Sequence, residues 1–452
     1  MKYIVVGSSH FGYEAVETIL EAEPEAEIHL FEREDKASFM SCGAQSYLMN
    51  IAQSPDELHY ANEESYKKQG INIHLNSDVV GVNADKNTVT VKTDNGEKEE
   101  KYDRLLLSPG GYAPKLNIPG NDLEHVYTFR GRNDAEIVKA RMEDAKKVVV
   151  IGGGYIGVEV AEAYRENGQD VTLIDAVDRF LPSYLDEEFY PSLSKEAEEK
   201  GLKIQTNELV QEIKGENGEI QAVVTDQAEY EADTVIMAVG VKPDTSWLAN
   251  SLELDEAGFV VVNDYLETSA KNVYAGGDAT LIPFKATGKK QNIALATNAR
   301  KQGVTAAKNA MGEEVEMPVV NGTSGLAFFD LKFATTGLNN SNLGNYDGSI
   351  KTFYTEERVR PSFMRDGDIK VEMKLFYDSE TEVILGAQFL STGDITQAAN
   401  TLSLAISNEM TLSDLGKADF FFQPGFSRPW NFLNVLALKA QGKTFGSTEM
   451  LF

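Results

Sequence analysis

The sequence predicts an α/β fold: two parallel-sheet domains followed by a C-terminal α+β region. Three observations predict it. A strand–turn–helix–strand unit opens the chain, from "KYIVVG" through "HFGYEAVETILEAE" to "AEIHLFERE". A second unit begins about 145 residues later at "KKVVVIGGGYIGVEVAEAYRENG" and closes with "DVTLIDA". From about Pro318 the pattern changes to antiparallel strands, a helix and an aromatic tail.

Each element follows from its pattern. "KYIVVG" is a short apolar run ending at Gly7, as a buried parallel strand should be. Ala15, Ile19 and Leu20 then recur at helical spacing. Each unit is followed by a stretch of strands and turns. Each stretch ends in an apolar strand and a glycine turn, "RLLLSPGG" in the first half and "TVIMAVG" in the second. In the C-terminal region "KVEMKLFYD" and "EVILGAQFLS" read as an antiparallel pair around "SETE", and "DITQAANTLSLAISNEM" as a helix.

Composition bounds the function. A chain of 452 residues has room for about three domains. A net charge of −29 repels nucleic acid and anionic membranes, so neither is expected as a partner. One cysteine excludes a disulfide scaffold, and five scattered histidines give no metal-ligand spacing, so no metal is expected. The N-terminus runs straight into a strand, and no apolar run approaches the roughly 20 residues of a membrane helix. The expectation is a soluble, cytoplasmic protein.

The glycine turns carry the first functional signal. Gly152, Gly154 and Gly157 have GxGxxG spacing between a strand and a helix. The first allows the tight turn, the second a pyrophosphate against the backbone, and the third close helix–strand packing. Asp175 follows at the end of the next strand, where a carboxylate binds a ribose 2′-hydroxyl and disfavours a 2′-phosphate. NADH is therefore expected over NADPH. The first turn, "GSSHFG", keeps Gly7 and Gly12 but has Ser9 at the middle position. Glu32 ends the following strand, and "VYAGGDAT" places Asp278 after another strand and a Gly-Gly turn, positioned for a flavin's ribityl chain. Two dinucleotide sites in one chain imply hydride transfer from a nicotinamide to a second, tightly held carrier.

Taken in order, "GSSHFGYE", Glu32, "SFMSCG", "GGGYIGVE", "GGDAT", "ALATNARKQG" and "FFFQP" resemble the flavin-dependent pyridine nucleotide–disulfide oxidoreductases, and within them the single-cysteine branch. The resemblance covers essentially the whole chain. It implies two Rossmann-like FAD/NAD(P)-binding domains of glutathione-reductase type plus a C-terminal α+β dimerisation domain. It divides the chain into FAD-binding segments 1–113 and 244–320, an NADH-binding segment 114–243 and an interface segment 321–452. By resemblance, FAD contacts fall on Gly7, Ser8, Ser9, His10, Phe11, Gly12, Glu32, Cys42, Ser108, Pro109, Gly110, Gly111, Arg130, Asp278 and Ala296. NADH contacts fall on Gly152, Gly154, Tyr155, Ile156, Gly157, Asp175, Tyr184, Gly240, Ala294 and Gly325. Tyr155 is expected to lie across the flavin.

The chemistry then centres on Cys42. The wider family uses a CxxxxC disulfide, but this chain reads "CGAQSY", with Tyr47 at the second position. A single thiol can still cycle through sulfenic acid. Its thiolate would take one oxygen from hydrogen peroxide, and electrons from NADH through FAD would restore it. "GAQSYL" is expected to be helical, which would put the sulfur at a helix N-terminus and lower its pKa. The resemblance places His10 beside the sulfur as a hydrogen-bond partner and Arg300 nearby as a charge. Glu14, four residues beyond His10 on the same helix face, is expected to orient it. A lone cysteine is otherwise more often a small buried residue, and a histidine in a turn a structural one.

Gln423 stands before Pro424, where disulfide reductases of the family present a histidine. Glutamine cannot transfer a proton at neutral pH, which weighs against reduction of a substrate disulfide. "GSSHFGYE" is closer to the peroxide-reducing members of the branch than to the oxygen-reducing ones. The expected activity is therefore NADH-dependent reduction of hydrogen peroxide, with dioxygen the alternative acceptor. Coenzyme A disulfide and a non-catalytic redox sensor come behind. The aromatic tail is expected to form the core of a homodimer interface, with pairing to a tetramer left open.

Overall fold

The computed structural model describes residues 1–443; the last nine positions of the expected interface segment lie outside the described residues. The first parallel sheet has five strands, in spatial order Val273–Ala275, Arg104–Leu107, Lys2–Val6, Glu27–Phe31 and Asn72–His74. A strand from far along the chain thus completes the first sheet. The second parallel sheet repeats the plan with Lys203–Gln205, Asp170–Ile174, Lys147–Ile151, Thr234–Met237 and Val126–Thr128. The central strands carry near-continuous apolar runs because both faces are covered, as in parallel sheets generally. Tyr3, Ile4 and Val5 in one sheet and Val148, Val149 and Val150 in the other are buried.

Each parallel sheet carries a three-stranded antiparallel meander at 78–101 or 210–231. The C-terminal region is a five-stranded antiparallel sheet in the order Ser324–Phe328, Leu331–Gly337, Ile384–Ser391, Lys370–Asp378, Ile350–Arg358. The pairing expected around "SETE" is present, and the helix Gln397–Ser407 packs on this sheet. No helix among the described residues is long and apolar enough to cross a membrane. No group of three or more His, Cys, Asp or Glu among them is placed to hold a metal.

One helix pair positions much of the site. The helix Ala296–Ala310 lies against the helix His10–Ala22. Small residues make the approach close: a Cβ on Gly303 would come within 2.4 Å of the Phe11 carbonyl oxygen. This approach carries Arg300, from near position 300 of the chain, to Glu14 near its start. The aromatic tail divides: Phe421, Phe422 and Phe426 are 71%, 49% and 65% exposed, whereas Leu433, Leu436 and Ala437 are buried in the C-terminal core.

Candidate active site

Two clefts meet beside Cys42. The first, of about 490 Å³, is lined by the turn Gly7 to Phe11, by Glu32, Ser108 to Gly111, Arg130 and Asp278. Its narrow turn is a backbone requirement. Gly7 has φ +87°, and a Cβ there would lie 2.3 Å from the Ser108 carbonyl oxygen. Gly12 lies beneath, where a Cβ would come within 1.8 Å of the Gly7 carbonyl oxygen. Ser9 fits the middle position: its φ is −76°, and its hydroxyl donates to the Phe39 carbonyl at 3.0 Å. At the equivalent Gly154 a Cβ would meet nothing within 4 Å.

Glu32 is held over this turn. It accepts from the Ser8 backbone N–H at 3.1 Å and the Ser8 hydroxyl at 2.6 Å. Asp278 pairs with Arg130 at 2.5 Å. A glycine turn opening a helix, a carboxylate at the next strand end and a second carboxylate beyond it form a cradle of the kind that suits a dinucleotide.

The second cleft, of about 900 Å³, is lined by Gly152 to Ile156, Asp175, Tyr184, Gly240, Ala294 and Cys42, among others. Gly157 repeats the role of Gly12: a Cβ would come within 1.8 Å of the Gly152 carbonyl oxygen. Asp175 accepts from the Gly153 N–H at 2.6 Å and the Val177 N–H at 3.1 Å, which fixes its carboxylate at the mouth of the turn. The Tyr155 ring stacks on Tyr184 with centroids 3.6 Å apart, and its hydroxyl lies 2.9 Å from Ser324 Oγ. Ala296 lines this cleft, while Ala299, one helical turn later, lines the first. Ser324 faces the cleft, whereas Gly325 is pressed against the next strand, where a Cβ would lie 2.8 Å from the Phe333 carbonyl oxygen.

Ser41 and Arg130 line both clefts, so Cys42 stands where they join. Its residue surface is open to the cleft, yet surrounding protein pushes its thiol pKa up by desolvation. Its own backbone N–H pulls downward, Glu159 pushes further upward, and Arg300 opposes that. The expected lowering is therefore corrected. Cys42 occupies a single 3-10 turn, Ser41–Gly43, ahead of a helix of only five residues, Ala44–Leu48. So few aligned peptides sum to a weak dipole, and desolvation outweighs it.

His10 opens the helix His10–Ala22, and burial, followed by Arg300, lowers its pKa to about 4. It is neutral over the physiological range. Its Nδ1 lies 3.0 Å from the Tyr60 hydroxyl. The Arg300 guanidinium covers the Tyr60 ring at 4.2 Å and pairs with Glu14. Glu14 is therefore directed at Arg300 and not at His10, as its helix spacing had suggested. The longer Arg300 side chain reaches it across the close helix pair, and Tyr60 takes the place beside the imidazole.

Tyr60 carries no sequence signal: "LHYANEE" matches no motif. It arrives through backbone pairing, with Met40 N–H donating to Leu58 O at 2.8 Å and Tyr60 N–H to Ser38 O at 3.1 Å. Ser38 makes the bend between them at φ +60°. Glu159 was also missed, although it lies one helical turn beyond Tyr155. It lines the second cleft, and burial with neighbouring Glu162 pushes it up to about 7.

Known proteins match this arrangement along the chain. Residues 1–303 fit the family model described as pyridine nucleotide-disulphide oxidoreductase, and residues 323–432 that family's dimerisation domain. A protein named NADH oxidase from Enterococcus faecalis is 39% identical over 443 residues, 97% of this chain and 99% of that one. The structure of a water-forming NADH oxidase from Lactobacillus brevis, bound to NADH, superposes with a TM-score of 0.94 at 35% identity, covering 98% of both chains. A NAD-dependent persulfide reductase from A. fulgidus superposes with a TM-score of 0.94 at 28% identity, over 98% of this chain and 83% of that one. The match runs through both clefts into the C-terminal sheet of a chain holding one cysteine. The protein therefore belongs to the pyridine nucleotide-disulphide oxidoreductase family of FAD- and NADH-binding enzymes, in its single-cysteine branch.

Proposed function

We propose that this NADH-dependent flavin oxidoreductase forms water from dioxygen, with Cys42 reducing to water the hydrogen peroxide that the first electron pair yields; the names of its relatives favour this acceptor. The observation that supports the reading is the placing of a lone thiol at the meeting of the two clefts, with a neutral imidazole lining the first cleft and the Arg300 guanidinium near enough to act on the sulfur through space. FAD, when bound, takes hydride from NADH and supplies electrons in pairs.

The chain's own residues carry the rest. The Cys42 thiolate attacks one peroxide oxygen and the O–O bond breaks, giving Cys–SOH and hydroxide. One proton converts that hydroxide to water. Two electrons and one proton then return Cys–SOH to thiolate and a second water. The sum is NADH, a proton and hydrogen peroxide giving NAD⁺ and two waters. With the Tyr60 O–H donating to Nδ1, the imidazole keeps its proton on Nε2, and that N–H is offered to the peroxide oxygen. Arg300 favours the anionic sulfur, offsetting part of its desolvation.

With dioxygen as acceptor four electrons are consumed and two waters formed, and Cys42 handles the second electron pair by this sulfenate step. A second reading is hydrogen peroxide as the sole acceptor, which the same thiol chemistry would serve. The deciding experiment is NADH oxidation under strict anaerobiosis with added hydrogen peroxide, beside oxygen consumption without it. Fast oxygen uptake without peroxide release supports dioxygen. Fast anaerobic turnover with added peroxide and slow oxygen uptake replaces that reading with peroxide.

Two variants test the roles. Tyr60→Phe removes one hydrogen bond to His10, and kcat is expected to fall about 3- to 10-fold while the KM for NADH stays unchanged; an unaltered kcat removes Tyr60 from the reaction. Asp175→Ala is expected to raise the KM for NADH about tenfold, as loss of charge-assisted hydrogen bonds should, and to narrow the preference over NADPH. Unchanged cofactor kinetics would remove its ribose role. The dimerisation-domain match supports a homodimer, and we propose that the exposed Phe421, Phe422 and Phe426 are covered within it.

A further inference from the structure

Glu162 is a buried carboxylate with no part in the chemistry above. It lies on the helix Tyr155–Glu166 and is 4% exposed. Its two oxygens face different regions of the protein. Oε2 accepts from the Gln45 side-chain amide at 3.0 Å. Oε1 accepts from the Phe329 backbone N–H at 2.7 Å. Gln45 lies three residues after Cys42, in the helix Ala44–Leu48, which packs directly on Tyr155–Glu166. Phe329 sits in the turn joining the strands Ser324–Phe328 and Leu331–Gly337, at φ +51°. One carboxylate thus ties the cysteine turn, the second dinucleotide helix and the C-terminal sheet together.

Burying it is costly. Desolvation pushes Glu162 up to about 7 even though Phe329 and Gln45 pull it down. A buried charge is weak evidence for stability, and a well-packed apolar side chain often serves stability as well or better. What an apolar residue cannot do is fix the direction of two N–H groups. The consequence falls on Cys42, which sits in the Ser41–Gly43 turn directly ahead of the helix that carries Gln45 and whose backbone N–H favours the sulfur anion.

We propose that Glu162 is a positioning residue which, through Gln45, sets the turn that carries Cys42 and thereby tunes the reactivity of its sulfur. The proposal rests on Cys42 as the reacting thiol and is independent of whether the acceptor is peroxide or dioxygen.

The test reads the thiol itself. Cys42 is the one cysteine in the chain, so every iodoacetamide adduct on the FAD-loaded protein reports it, and the rate against pH gives its titration midpoint. Gln45→Leu cuts the tie on the cysteine side and leaves the Phe329 bond in place. Its midpoint is expected to rise by about 0.5–1 pH unit, the size of one lost hydrogen bond to an anion-supporting turn. Its kcat should fall about 3- to 10-fold with the KM for NADH unchanged. Glu162→Leu should shift the midpoint at least as far. Glu162→Gln should restore it, because its carbonyl still accepts from Phe329 and its amide can donate to a turned Gln45. A wild-type midpoint in Gln45→Leu overturns the proposal. So does a Glu162→Gln midpoint displaced as far as that of Glu162→Leu. Failure of the Cys42 reading shows separately, as peroxide reduction surviving in Cys42→Ser.

Discussion

Cys42→Ser is expected to yield a yellow, FAD-loaded protein that NADH still reduces but whose peroxide turnover falls by on the order of 10³-fold or more. A serine hydroxyl is a weak nucleophile at neutral pH and has no sulfenic acid state, so oxygen transfer from peroxide is lost. The clefts should survive, because Cys42 lines one of them without holding the glycine turns that shape both. Anaerobic stopped-flow reduction by NADH should match wild type, and the loss should fall entirely on the peroxide half-reaction. Wild-type peroxide turnover in this variant would discard the sulfenate cycle.

The same variant separates the two acceptors. If dioxygen is used, Cys42→Ser should go on consuming NADH but release hydrogen peroxide, one per NADH, because the second electron pair has no thiol to act through. If only peroxide is used, NADH oxidation should nearly stop in air as well. An oxygen electrode with and without catalase reads the difference.

Gly12→Ala is expected to cost the protein its flavin. The added carbon would sit 1.8 Å from the Gly7 carbonyl oxygen and 2.9 Å from its carbonyl carbon, both backbone atoms of the turn. Neither can rotate aside. The helix His10–Ala22 must move off the strand Lys2–Val6, taking His10 and the N–H groups of its first turn with it. Overpacking of this kind costs roughly 1–3 kcal/mol in stability, and the loss of backbone geometry at the turn adds to it. The flavin-to-protein ratio after purification should drop at least about tenfold, with a lower Tm. Ser9→Gly is the control: the site tolerates either residue, and only the bond to the Phe39 carbonyl is lost, so flavin content should stay near wild type. Full flavin loading in Gly12→Ala would show that the turn can relax.

Both strand–helix–strand units, the order of glycines in each and the strand-end acids Glu32 and Asp175 were legible in the sequence because they rest on local rules. A buried parallel strand needs an apolar run, and a helix crossing its strand at van der Waals distance needs glycine at Gly12 and Gly157. The antiparallel pair around Ser379 to Glu382 was legible for the same reason, as two apolar-rich runs with a turn between them.

The surroundings of Cys42 were decided only in three dimensions. Helix periodicity put Glu14 on the face of His10, but the Gly303 crossing brings Arg300 from the other end of the domain to claim its carboxylate. Tyr60 reaches His10 through strand-like pairing around a left-handed Ser38, which no residue pattern announced. The thiol pKa depends on how much protein encloses the sulfur, and desolvation is the largest influence on it. The amino-acid sequence alone thus determined which folds and which cofactor turns this protein has, since these are set by neighbours within a few residues. Tertiary packing decided which side chains share the reaction space, since Coulomb and desolvation energies depend on distance through space and not on separation along the chain.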